Sequence, residues 1–386
     1  MQRSGDRILT THVGSLPRPA DLHAMTAARQ KGEPVDETAY QARIGQAVAE
    51  IVRRQAALGI DVVADGEMSK PSFITYINER LSGFEVDTAR PSQSPWAGSR
   101  EVEAFPDFYR PQLSNVHTRH VHYICSGPVM YRGQRQLKTD LDNLKAALAG
   151  VNVTGAFVPA TSVSSIEEWN RNAYYKSDEE YLYALADAIG EEYRAIVEAG
   201  FVLQVDDPHL VTHYVCHPGK SVDECRRWIA LRVDAINHAL RGIPKDRVRF
   251  HTCYGINFGP RVHDLEAKYI VDILGRINAG AFSFEAANPR HEHEWTSWRD
   301  AGLPDDIVVI SGMITQSNVM VEHPEAVAQR LGRWIGAFGR ERVIAGTDCG
   351  FASFAGNDEI HESIVWAKFE ALVEGARIAS QRLKAA

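Results

Sequence analysis

Four side chains with metal-binding chemistry close three apolar runs: His251, Cys253, Glu285 and Cys349. In Arg247-Val-Arg-Phe-His-Thr-Cys-Tyr-Gly255, a β-branched and aromatic run ends in His251 and Cys253, two positions apart. Residues i and i+2 of a strand project to one face, so an imidazole nitrogen and a sulfur would point together from its tip. Ala281-Phe-Ser-Phe-Glu-Ala-Ala287 carries Glu285, and Arg342-Val-Ile-Ala-Gly-Thr-Asp-Cys-Gly350 carries Cys349. Imidazole, thiolate and carboxylate all ligate Zn²⁺, and three strand ends in register would assemble a His-Cys-Glu-Cys site. A core cysteine beside a satisfied histidine leaves the same His-x-Cys trace, so that pair alone decides nothing.

The elements that must position these groups alternate along the chain. Strand-like runs fall at 8–13, 60–64, 121–125, 157–160, 201–205, 247–252, 281–287, 307–310 and 342–347. Pro159 weakens the fourth, because proline cannot donate to a ladder. Between them the periodicity predicts helices over about 37–58, 139–149, 178–199, 222–240, 324–338 and 359–379. Ser177 with Glu180 three residues on is a capping-box pattern, and Gly200 a stop signal. Such alternation implies a parallel sheet covered by helices. A (β/α)₈ TIM barrel needs eight of these nine strands, leaving one outside. The barrel is preferred to an open sheet because Gly14, Ser15, Glu67, Asp206, His251, Cys253, Glu285 and Cys349 all follow their runs. In a barrel those carboxyl ends converge on one mouth.

The 386 residues read as one barrel domain over 1–386. Residues 85–118 form an insertion within it, rich in proline and aromatics and too aromatic for simple disorder. It would cover the mouth, contact a second subunit in a homodimer, or decorate the surface. Hydrophobic content of 44% and charged content of 24% are those of a globular protein. A net charge of −8 argues against a nucleic-acid partner, and no apolar run is long enough to span a membrane. The first residues lack a secretory h-region, and five widely spaced cysteines are no disulfide framework. A reducing cytoplasm is the expected setting.

Other motifs carry less. His209, His213 and His217 recur every four residues and would share one helix face, as a second metal site or a polar wall of the mouth. His291-Glu-His293 reads as a mouth loop. Gly219-Lys-Ser221 lacks the upstream glycine of a phosphate loop, since position 214 is tyrosine.

Thr10-Thr-His-Val-Gly-Ser-Leu-Pro-Arg-Pro19, Asp65-Gly-Glu67, Gln204-Val-Asp-Asp-Pro208, His251-Thr-Cys-Tyr254, Phe284-Glu285 and Thr347-Asp-Cys-Gly350 run in order through nearly the whole chain. Together they resemble the catalytic half of cobalamin-independent methionine synthase. The likeness extends to short single-domain relatives such as the epoxyalkane:coenzyme M transferases. The resemblance implies a zinc-bearing (β/α)₈ barrel with His251, Cys253, Glu285 and Cys349 as ligands. It also implies that Gly14, Ser15, Glu67 and Asp206 hold the amino-acid part of a homocysteine-like thiol.

The residue types agree with that chemistry. A thiol of ordinary pKa is mostly protonated at neutral pH, whereas the thiolate is the nucleophile, and coordination to Zn²⁺ deprotonates it. Glu285 is the ligand expected to be displaced by the incoming sulfur. Glu67 and Asp206 would accept from its ammonium group, or else form a structural ion pair. The family's Val-Tyr-Asp-Ile-His strand end, whose histidine relays a proton, is matched here by Gly312-Met-Ile-Thr-Gln-Ser317. A folate leaving group needs an acid, so a methylcorrinoid protein or another alkyl electrophile suits this chain better. Epoxide opening would need an acid too, which His12 or the His209 cluster could supply. The expected activity is zinc-dependent S-alkyl transfer, foremost of a methyl group, to homocysteine or a similar small thiol. The alternatives are an epoxide:thiol transferase and a non-catalytic thiol- or corrinoid-binding barrel.

Overall fold

The computed structural model describes all residues except 90–95, 115–120, 256–257, 357–359 and 386. Parts of the expected insertion, Pro91 and Pro95 among them, and the expected start of the last helix at 359 lie outside the described residues. The strands are β1 (Val62–Val63), β2 (Phe84–Val86), β3 (Tyr123–Cys125), β4 (Gly155–Thr161), β5 (Asn170–Asn172), β6 (Val202–Asp206), β7 (Val248–Thr252), β8 (Ala281–Phe284), β9 (Val308–Ile314) and β10 (Val343–Thr347).

Seven of them form one parallel sheet in the order β1-β4-β6-β7-β8-β9-β10. The sheet curls until its first and last strands share a neighbour. Thr11 bridges Val62 of β1 and Thr10 bridges Ala345 of β10, both parallel. Thr11 N–H donates to the Ala345 carbonyl at 2.9 Å, and Val62 N–H to that of Thr10 at 3.1 Å. The fold is therefore α/β with a curled parallel sheet. One expected strand, 121–125, lies elsewhere. Its β3 pairs antiparallel with β2 and parallel with β5 in a separate three-stranded sheet.

Pro159 is tolerated inside β4 for a readable reason. β1 pairs with β4 only at Gly155 and Ala156, so on that side no ladder bond is asked of residue 159. Its carbonyl is used all the same, accepting from Lys70 Nζ at 2.5 Å.

Helices pack on the outside of the sheet with conventional ends. Asp36 caps Glu37–Leu58 by accepting from the N–H groups of Thr38 and Ala39, and Gly59 closes it at φ 91°, where a side chain would be strained. Ser177 accepts from Glu180 N–H at the start of Asp178–Glu198, but Glu180 reaches the Lys176 N–H rather than its cap. The reciprocal capping box forms instead at Ser221 and Glu224, ahead of Val222–Ala239. The helix expected at 139–149 begins earlier, as Gln134–Ala147. Inside the curl, below the strand ends, the buried Arg249 guanidinium lies 3.9 Å from the Phe157 ring centre and donates to Thr11 Oγ1 and the His12 carbonyl.

Candidate metal centre and substrate cavity

Three of the expected ligands converge. The donor atoms of His251, Cys253 and Cys349 lie within 4.8 Å of one another, all buried, and the two sulfurs are 3.3 Å apart. Pairing of β6, β7 and β8 sets His251 beside Asp206 on one side and Ser283 on the other. His251 lies within β7, Cys253 follows β7 and Cys349 follows β10, so one strand end and two loop starts meet at one end of the sheet.

The chemistry of this trio suits a soft cation. Neither ring nitrogen of His251 has a hydrogen-bond partner of good geometry, and a buried polar atom left so is costly. Burial and the Arg249 charge bring the imidazole pKa down to about 3, so the ring is neutral and able to coordinate. The hydrogen bond to Cys253 and burial hold the Cys349 thiol well above its ordinary value. An ion between the sulfurs would reverse that preference. A nitrogen and two sulfurs are a donor set that zinc accepts.

Glu285 stands outside the group. Its Oε1 accepts the Tyr254 N–H at 2.7 Å, while Oε2 accepts from Asn288 Nδ2 at 2.7 Å and faces Arg261 Nη1 at 2.8 Å. The carboxylate is thus satisfied by its own loop and by a guanidinium.

Asp348, quoted within a motif but given no role from the sequence, holds two of these loops together. Its Oδ1 accepts from the N–H groups of Ala286 and Ala287 at 2.7 and 2.8 Å, and its Oδ2 from Asn288 N–H at 3.0 Å. The turn after Glu285 is thereby moulded onto the residue before Cys349. Gly312 Cα packs so closely on this carboxylate that a Cβ would overlap Oδ1.

The trio opens onto a cavity of about 100 Å³. Ser15, Glu67 and Asp206 line its deep end beside His251, Cys253 and Cys349. Burial pushes the Glu67 carboxyl up, against the charges of Lys70 and Arg18, and holds Asp206 well above the usual carboxylate range with Glu67 adding to the effect. Glu67 Oε2 has no hydrogen-bond partner, and Asp206 Oδ1 accepts from Gln204 at 2.6 Å. Two buried carboxyls with spare acceptor capacity suit an ammonium group. Gly14 passes between Pro159 and Glu67 at φ 138°, with no space for a Cβ. His12 stands behind it and off the cavity wall, accepting from Gly14 N–H at 3.1 Å and donating to Gln55 Oε1 at 2.7 Å. It positions the glycine turn and does not face the cavity.

The outer part of the wall comes from helices and from the insertion. Asp207 accepts the Leu210 N–H at 3.0 Å at the start of His209–Cys216, and this helix turns His209, Thr212, His213 and Cys216 to the cavity. Of the expected histidine face, His209 and His213 line the cavity, whereas His217 caps the helix end and packs on His213 at 4.0 Å, and among the described residues no metal-holding group includes any of the three. His291 of the supposed mouth loop is buried, stacked on Tyr254 at 3.8 Å and bonded to Asp264 and Glu294. From the insertion, Trp96 reaches the cavity over Gly255. Glu101 anchors it by accepting from the Arg261 and His263 N–H groups at 3.1 and 2.7 Å, so this part of the insertion docks on its own chain. No lysine or arginine is among the described residues that line the cavity.

Known proteins resemble the chain in sequence and fold. Residues 8–129 match the family model described as cobalamin-independent synthase, catalytic domain. The chain is 26% identical over 380 residues to a methionine synthase of Sulfurisphaera tokodaii, covering 97% of this chain and 93% of that protein. To a methionine synthase of Sulfolobus acidocaldarius it is 26% identical over 379 residues, with the same coverage. The chain is similar over nearly its whole length to these methionine synthases. A B12-independent methionine synthase from Shewanella, solved with selenomethionine, superposes with a TM-score of 0.73 at 19% identity, covering 98% of this chain and all of that one. A putative B12-independent methionine synthase from Listeria monocytogenes gives 0.68 at 18% identity, covering 96% and 98%. At such identities these two structures establish the shared fold. No described helix is long and apolar enough to cross a membrane.

Proposed function

We propose that the protein is a zinc-dependent S-methyltransferase that methylates homocysteine or a closely similar aminothiol. The observation that carries this reading is the convergence of His251, Cys253 and Cys349 on the cavity that Glu67 and Asp206 line. In this reading the curled sheet is a (β/α)₈ barrel whose eighth strand is the bridging segment at Thr10-Thr11, and residues 85–118 are an insertion in a single domain. Bound zinc would favour the thiolate form of an acceptor at neutral pH. Every other task falls to the chain. Glu67 and Asp206 would accept from the acceptor's ammonium, and Ser15, on the same cavity wall beside the Gly14 turn, would bind its carboxylate. Glu285, which faces Arg261 at 2.8 Å, would be the exchangeable fourth ligand of such an ion. A reducing cytoplasm suits cysteines kept as ligands rather than as a disulfide.

The family model that residues 8–129 match is of a cobalamin-independent synthase, so a corrinoid protein is not carried forward as donor. An epoxide:coenzyme M reaction is the weaker reading, because a sulfonate would meet no lysine or arginine on the described wall. Metal analysis and calorimetry with homocysteine test the proposal. About one zinc per chain, lost in Cys349→Ser, with a homocysteine-dependent thioether detected by mass, is the expected result. A full complement of zinc in that variant would remove the metal centre. Zinc-loaded protein that binds homocysteine yet forms no thioether with any donor would be a thiol-binding barrel without transferase activity.

A further inference from the structure

The outer half of the cavity differs in character from the deep half. Phe73, Phe354, Trp169 and Trp96 line it with the Glu168 side chain. The rings meet as a corner rather than as a flat slot. Phe73 stands edge-on to Phe354 at 5.7 Å and 85°, and Trp169 is tilted 37° to Phe354 at 6.2 Å. The Trp169 indole is fixed by donating to His209 Nε2 at 3.0 Å. Glu168 is half-buried in the helix Val163–Trp169 and has no cationic partner among the described residues, whereas its neighbour Glu167 is paired with Arg232. Aromatic faces at angles around an unpaired carboxylate are the features that bind a methylated cation.

We propose that this corner holds the methyl donor, and that the donor is an onium compound, a quaternary ammonium or a sulfonium. The inference rests on the acceptor reading above and adds the donor to it. The rest of the site agrees. At the end of β9, where a proton relay would be needed for a folate, the Thr315 and Ser317 hydroxyls bond to each other at 2.7 Å and Gln316 is an amide. No acid or imidazole is supplied from that strand end. His209 and His213 on the wall are kept neutral by burial. An onium donor needs no proton at its leaving atom. The acceptor sulfur forms the new S–CH₃ bond while the C–N⁺ or C–S⁺ bond breaks, and the bonding pair stays on the departing nitrogen or sulfur. The leaving group is a neutral amine or thioether, and the single proton released is the one the acceptor thiol lost to solvent. The absence of lysine and arginine from the described wall also suits a cationic donor and disfavours a polyanionic one.

The test compares choline with its uncharged carbon isostere, 3,3-dimethylbutan-1-ol, by calorimetry and tryptophan fluorescence on the zinc-loaded protein. Choline should bind at least about tenfold more tightly than the isostere. Glu168→Gln should cut choline affinity roughly 3–10-fold while leaving the isostere unchanged, and Trp96→Ala should do the same. Equal affinity for the two probes, or no binding of choline, overturns the proposal, as does methionine formed from homocysteine and methyltetrahydrofolate. Zinc content and homocysteine affinity are measured on the same samples. If those fail while choline still binds, the acceptor reading is at fault and the cation corner stands. If they hold while choline does not bind, the corner is at fault.

Discussion

Arg261 Nη1 lies 2.8 Å from Glu285 Oε2, with both side chains buried. The Glu285 and Asp264 carboxylates raise the guanidinium's pKa despite its burial. Removing one partner of such a pair strands the other as an uncompensated buried charge, which costs about 3–5 kcal/mol. Arg261→Met should therefore lower unfolding stability by about that much in urea titration. A loss below about 1 kcal/mol would mean that Glu285 has another counter-charge and that the pair is not what holds it.

Cys253 and Cys349 are separated by 96 positions and meet at 3.3 Å. Replacing either thiolate with serine exchanges a soft ligand for a weak one. Cys253→Ser and Cys349→Ser should each emerge with well under half the zinc of the parent, measured by atomic emission, and chelator should strip the remainder faster. Because metal binding contributes to the folded state, the parent should melt higher with zinc than after chelation, and the variants should lose that difference. Zinc-independent melting of the parent would count against a resident ion.

Much of this site is legible in the sequence for a geometric reason. His251 and Cys253 keep the two-residue period of a strand, and Glu67, Asp206 and Cys349 each follow a short apolar run, so parallel pairing is enough to bring their ends together. What no local pattern carries is the company each group keeps. Arg261 comes from an irregular loop with a positive φ of 56°, and nothing in its neighbourhood announces a partner at Glu285. The role of Asp348 is equally hidden, because its three N–H donors lie about sixty residues earlier. Val121–Cys125 has the composition of a barrel strand, but its partners are three-residue pieces too short to be read as strands, Phe84–Val86 and the wholly polar Asn170–Asn172. His12 has the position of a substrate ligand, and only the Gln55 amide, 43 residues on, turns it to a backbone task.

The Asp348 carboxylate accepts three backbone N–H groups, and hydrogen bonds to a charged group contribute about 1.5–3 kcal/mol each. Burial and the Glu285 charge nevertheless raise its pKa to about 6. Asp348→Asn keeps the shape but turns one acceptor oxygen into a donor facing donors. It should cost about 2–4 kcal/mol of stability and lower zinc retention, since the turn after Glu285 and the Cys349 loop lose their shared anchor. Full zinc content with wild-type stability would reduce Asp348 to a spectator.

His291 offers a pH dependence with a defined sign. Its two ring nitrogens lie 3.0 Å from Asp264 Oδ2 and 2.9 Å from Glu294 Oε2. Although burial opposes it, these hydrogen bonds and charges raise the imidazolium pKa to about 9. A histidine whose folded pKa exceeds its unfolded value near 6.5 binds more protons in the native state between those values. Its stabilisation is thus complete below about pH 6.5 and is lost as pH rises through about 9, on the order of 3 kcal/mol in all. Urea midpoints taken from pH 6 to pH 10 should fall over that window. The fall should flatten in His291→Gln, whose amide can donate to only one of the two carboxylates at a time. An unchanged slope in that variant would assign the loss of stability to other groups.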